Sequence, residues 1–135
     1  MKMDELTAAA RAAMGMAYAP YSGFFVGAAL RCADGTVYTG CNVENASYGA
    51  TNCAERTAFF KAVSEGKRAF TDIAICGGKG GKITDFCPPC GICRQVMSEF
   101  CGGEFRIHLL GPGDAVRSYT LSDLLPGRFT AGAME

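Results

Sequence analysis

Neither charge is in excess in this chain: thirteen lysines and arginines stand against thirteen aspartates and glutamates. A nucleic-acid binder usually carries a basic surplus, so polyanion binding finds little support. Long hydrophobic runs are missing too. No segment approaches the roughly 20 apolar residues that span a bilayer. The Ala-rich opening "MKMDELTAAARAAMGMAYAP" is broken by acids and by Arg11, unlike the apolar segment of a secretory signal, and a cytoplasmic location is expected. Repeats, linkers and low-complexity stretches are also lacking. The 135 residues are expected to form a single domain, 1–135, able to bury its own core. Histidine occurs once, as His108 in the strand-like "FRIHLL", where a structural role is expected.

Cysteine is not scarce. Eight are present, in a chain whose Ala, Val, Ile and Phe can build a core without bridges. In a reducing compartment, clustered cysteines point to metal or catalysis rather than disulfides. Cys32, Cys41, Cys76 and Cys101 sit singly in apolar or strand-like runs and read as small buried hydrophobes.

Asp4 is a candidate N-cap for a first helix, with Leu6, Ala9, Ala10, Ala13, Met14 and Ala17 as its apolar stripe and Pro20 as its end. "FFVGAALRC" and "TVYTGCNVEN" read as strands joined by an Asp34-Gly35 turn. A helix begins near Cys53 and stops at Gly66, "TDIAICGG" is a strand, and Lys79 to Pro89 is a loop. A second central helix runs from near Gly91 to Phe100, with Gly102-Gly103 as its C-cap. "FRIHLL" and "VRSYTL" are further strands, and "LSDLLPGRF" closes with a helical turn. Strands alternating with helices predict a layered α/β sandwich opened by a hairpin.

Chemistry concentrates at the two central helix starts. Cys90 and Cys93 lie at i and i+3, on one helical face. In a first turn, unpaired N–H groups and the helix dipole favour a thiolate. Cys53 holds the matching place on the other helix. Three such thiolates suit Zn²⁺, and a site with three protein ligands keeps its fourth position open for water. Glu55, two residues past Cys53, is placed to shuttle protons there without binding metal. A zinc ligand, any residue and Glu, followed later by Pro-Cys-x-x-Cys, is the signature of zinc nucleobase deaminases. Here it reads Cys53-Ala54-Glu55 and Pro89-Cys90-Gly91-Ile92-Cys93. A bare C-x-x-C is a weak signal, whereas the two halves together are a strong one.

A closed four-cysteine site would need Cys87. An extended Pro88-Pro89 pair, at about 3.1 Å per residue, would hold it about 9 Å from Cys90, and the closed site leaves Glu55 without a role. Arg56 reads either as an exposed helix arginine or as a cation offsetting the negative charge of three thiolates on Zn²⁺. In "CNVENASY", Asn42 and Glu44 share one side of an extended chain. They are a solvent-facing polar pair or an amide and a carboxylate for sugar hydroxyls. Phe24 is core or the apolar wall of a pocket.

With "YAPYSGFFVGAAL", "GCNVENASYG", "CAERTA", "PCGICRQ" and "LLPGRF", nearly the whole chain resembles the short, homotetrameric type of cytidine deaminase. The resemblance implies a three-layer α/β/α sandwich around a mixed sheet of about five strands. It implies one Zn²⁺ per chain on Cys53, Cys90 and Cys93, with Glu55 as proton shuttle and Arg56 bonded to ligand sulfurs. Asn42 and Glu44 match the ribose-binding pair, Phe24 the side chain packed on the nucleoside, and Ala54 the backbone that reads the pyrimidine edge. Tyr48 and Phe129 match positions that complete a neighbouring subunit's site. The implied reaction is hydrolytic deamination of cytidine and 2′-deoxycytidine in pyrimidine salvage. The longer dimeric type has a histidine in place of Cys53 and an extra domain, and this chain has neither. Cys87 departs from the pattern and adds an oxidation site near the metal. Rival readings are a deaminase of another cytosine nucleoside, such as blasticidin S, and a non-catalytic zinc-binding module.

Overall fold

Period-two alternation decides which strand residues face inward, and the computed structural model of the chain, describing residues 2–134, builds one sheet on that pattern. Its strands are β1 (Phe24–Cys32), β2 (Val37–Cys41), β3 (Phe70–Lys79), β4 (Arg106–Leu110) and β5 (Val116–Thr120), in the order β2-β1-β3-β4-β5. β3 and β4 pair in parallel and the other neighbours are antiparallel, so the sheet is mixed. The helices are α1 (Met3–Met14), α2 (Ala54–Ser64), α3 (Gly91–Phe100) and the short α4 (Leu121–Leu124).

Alternation splits the core in two. Ala28, Leu30, Ile73, Ile75 and Ile107 pack with Ala58 and Phe59 of α2 and Met97 of α3. Ala29, Ala74, Cys76 and Leu110 pack with Leu6 and Ala10 of α1. The outcome is a helix layer on each face of the sheet, as expected. Two glycines let those layers close in. A Cβ on Gly27 would lie 2.2 Å from the Ala10 carbonyl oxygen, and one on Gly40 would lie 2.4 Å from that of Ala54. Gly40 therefore seats the start of α2 directly on β2.

Local boundaries differ from the sequence expectations in several places. α1 is capped by Lys2, and Asp4 lies inside its first turn, where a carboxylate suits the helix dipole. The helix ends at Met14, with Gly15 N–H bonding the Ala12 carbonyl, so Ala17 and Pro20 fall in the following segment. β2 stops at Cys41 rather than continuing to Asn45. α3 closes on Cys101, whose N–H bonds the Met97 carbonyl, so Gly102 is not its cap. Cys32 and Cys76 are buried as expected, whereas Cys41 and Cys101 are only half-buried.

His108 is structural. It is buried, with Nε2 3.0 Å from an Asp72 carboxylate oxygen and Nδ1 2.7 Å from Ser118 Oγ. Arg31 meets the same carboxylate at 2.8 and 2.6 Å. Burial alone would raise the Asp72 carboxyl, but hydrogen bonds from His108, Arg31 and Thr71 outweigh it and hold the group below the usual carboxylate range.

Candidate active site

Cys53 is the N-cap of α2 and Cys90 the N-cap of α3, and neither side chain makes a capping hydrogen bond. Their sulfurs are turned to each other instead, 3.8 Å apart. Cys93, buried in the first turn of α3, completes the cluster, and the three sulfurs lie within 4.8 Å of one another. Two thiolates about 2.3 Å from one tetrahedral ion stand about 3.8 Å apart. The donor set therefore fits zinc in both softness and spacing. Among the described residues it is the one such cluster, and Cys87 lies outside it.

Charge is arranged to suit. Arg56 donates from its guanidinium to Cys53 Sγ at 3.1 Å, which excludes the exposed-arginine reading. Hydrogen bonding to Cys93, together with that to Arg56, draws the Cys53 thiol down to about 5 against the cost of its burial. Cys87 behaves in the opposite way. Burial pushes its thiol up to about 12, so it lines the cleft as a neutral group.

Glu55 is 4 % exposed, and burial pushes its carboxyl up to about 7, with the Cys53 charge adding to the rise. It opens on a cleft of about 360 Å³ that it shares with Phe24, Asn42, Glu44, Cys53, Ala54, Cys87 and Cys90. β2 has ended, yet the alternation persists: Asn42 and Glu44 face the cleft while Val43 is exposed. Asn42 also splices the sheet. Its Oδ1 accepts from Val26 N–H at 2.9 Å and its Nδ2 donates to the Phe24 carbonyl at 2.8 Å. Glu44 accepts from the backbone N–H groups of Tyr21 and Ser22.

Tyr48 and Phe129 do not line this cleft. Tyr48 is exposed and meets Tyr21 edge-on beside a neighbouring hollow that also touches Glu44. Phe129 is exposed as well, and its carbonyl accepts from Gln95 Nε2 at 2.9 Å. The sequence reading gave no site role to Ser22, Val26, Thr51, Asn52 or Pro88, all of which line the cleft. Only Ser22 left a trace, in the turn-forming "YSG" before β1.

Residues 1–108, a span that includes all three cysteines and Glu55, match the cytidine and deoxycytidylate deaminase zinc-binding region. The chain belongs to that family. It is 48 % identical over 130 residues to a cytidine deaminase of Sporosarcina psychrophila, covering 96 % of this chain and 93 % of that one. A cytidine deaminase of Halalkalibacterium halodurans is 52 % identical over 118 residues, 87 % of this chain and 86 % of its own. The crystal structure of cytidine deaminase from Burkholderia pseudomallei superposes with a TM-score of 0.88 at 48 % identity, covering 96 % of this chain and all of that one. The Burkholderia enzyme shares the mixed-sheet α/β fold, and Cys53, Cys90 and Cys93 form the cluster here that could hold the zinc of this family.

Proposed function

We propose that this protein is a zinc-dependent cytidine deaminase that hydrolyses cytidine, and 2′-deoxycytidine, to the uridine product and ammonia. One observation carries the assignment: the near-neutral carboxyl of Glu55 opens on the same cleft as the three-sulfur cluster and the Asn42–Glu44 pair. Zinc on Cys53, Cys90 and Cys93 supplies the Lewis acidity that makes water a nucleophile near neutral pH. Glu55 takes a proton from the attacking water and hands it to N3 of the base as C4 gains the oxygen. It then carries the second proton to the departing amine, and the C4–N bond breaks to give ammonia. A carboxyl tuned near 7 suits both directions of that transfer. Asn42 and Glu44 hold the ribose, Phe24 packs on the nucleoside, the Ala54 backbone reads the pyrimidine edge, and Arg56 balances the thiolate charge.

Assembly belongs to the same proposal. Tyr48 is 77 % exposed and Phe129 59 % exposed, large apolar faces for one chain to leave in water. In a homotetramer each would complete the site of a neighbour. No helix of the described residues is long and apolar enough to cross a membrane, and we place the reaction in the cytoplasm.

A panel of cytidine, 2′-deoxycytidine, free cytosine and blasticidin S, given to the zinc-loaded protein with ammonia and product detection, tests the reading. Turnover of the first two is expected and free cytosine should be a poor substrate. Turnover of blasticidin S alone, or of none, would overturn the assignment.

A further inference from the structure

Glu44 accepts three hydrogen bonds within its own chain, and two of them come from Ser22. The N–H groups of Tyr21 and Ser22 both donate to Oε1, at 3.0 and 3.1 Å. The Ser22 hydroxyl donates to Oε2. An ionised carboxylate offers about four acceptor positions, two on each oxygen. Oε1 is thus filled and Oε2 keeps one position open, on a side chain that lines the cleft.

Ser22 is itself held from several directions. Its Oγ accepts from Phe24 N–H at 3.0 Å, and its carbonyl accepts from Lys79 Nζ at 2.5 Å. Gly23 follows with φ 66°, and its carbonyl accepts from Gly80 N–H at 2.8 Å. The turn is thereby fastened to the far end of β3. A serine turn by itself explains only the bond from Phe24. It does not require the hydroxyl proton to reach a carboxylate 22 residues away.

We propose that Ser22 is a positioning residue for sugar recognition, fixing which oxygen of Glu44 is left open to a substrate hydroxyl. The inference rests on the cytidine deaminase reading. The Ser22 hydroxyl, followed by its N–H, also holds the Glu44 carboxyl below its ordinary range, which keeps it ionised and a pure acceptor. Through the Phe24 backbone the same turn reaches Asn42, so the base wall and both sugar-facing residues share one support.

The readout is discrimination between cytidine and 2′,3′-dideoxycytidine, which lacks both ring hydroxyls, taken as a ratio of kcat/KM values. Inactive protein lowers both rates alike and leaves that ratio unchanged. Ser22→Ala should lose about tenfold in discrimination, the scale of one hydrogen bond to a charged group. The loss should fall mainly in KM for cytidine, with zinc content intact, and Ser22→Thr should restore it. Added to Glu44→Ala, the same change should cost almost nothing further. Unchanged discrimination in Ser22→Ala, beside an active parent, would overturn this inference alone. A parent inactive on cytidine would overturn the functional reading and this inference with it.

Discussion

Glu55 and Cys87 face one cleft, and both are raised by burial, yet the consequence differs for each. A carboxyl near 7 can give and take protons at neutral pH, whereas a thiol near 12 stays protonated, which argues against the oxidation site expected at Cys87 from sequence. Glu55→Gln should therefore keep about one zinc per chain while losing at least 10²–10⁴ of turnover, the range for one acid–base group. Normal turnover, or loss of zinc, would remove Glu55 from that role. The cysteines should divide cleanly under metal analysis. Cys53→Ala, Cys90→Ala and Cys93→Ala should each lose zinc, and Cys87→Ser should keep it, because Cys87 stands outside the sulfur cluster. Equal loss in Cys87→Ser would bring back the closed four-cysteine site.

At the scale of elements, what could be read from sequence depended on how near the interacting residues were. Cys90 and Cys93 share one helical turn, and Cys53 and Glu55 one helix start, so local spacing gave each pair and the deaminase signature joined the two. Alternation put Asn42 on one side of the chain with Glu44, and only the family resemblance made that side a cleft. The splice of Asn42 onto β1 was not legible, because the partner atoms are backbone groups 16 and 18 residues away. Nor was the buried Asp72 network, which joins β1, β3, β4 and β5 through residues with no shared motif. The start of the first helix was misjudged for a local reason: Lys2 supplies an extended cap without a side-chain bond, leaving no sequence signal. The Asp72 network makes its own prediction. Asp72 titrates in the folded chain below its ordinary value of 3.8, so its stabilisation is full above that pH and is lost as pH falls through the lower folded value. Asp72→Asn should cost about 1.5–3 kcal/mol at pH 7. The gap in Tm between variant and parent should shrink below about pH 4. A gap that holds constant into acid would show that the carboxylate's charge is not what stabilises the sheet.

For the whole molecule, Asn42, Glu44, Cys53 and Cys90 line one cleft of a single chain, while Tyr48 and Phe129 are exposed outside it. The proposed homotetramer with shared sites would account for that separation. Truncation after Gly127 removes Phe129 and leaves Cys53, Cys90, Cys93 and Glu55 in place. Zinc should stay bound, cytidine affinity should fall and the assembly should weaken by light scattering. A truncated monomer with full activity would show each site to be self-contained.

The uncapped starts of α2 and α3 have a consequence for how the protein breathes. Cys53 and Cys90 would ordinarily be replaced by serine or aspartate at such positions to hold the first turn. A zinc ion held by Cys53 and Cys90 would tie the side chains of both N-caps together, and the ends of two separate helices would then open as a single unit. The first paired amides, Thr57 onto the Cys53 carbonyl and Arg94 onto that of Cys90, should exchange their hydrogens in step. Titrating a chelator against the protein in deuterated buffer should speed both at the same free-zinc level, while core amides such as Ile75 remain slow. Independent release of the two amides would mean that each helix holds its own end.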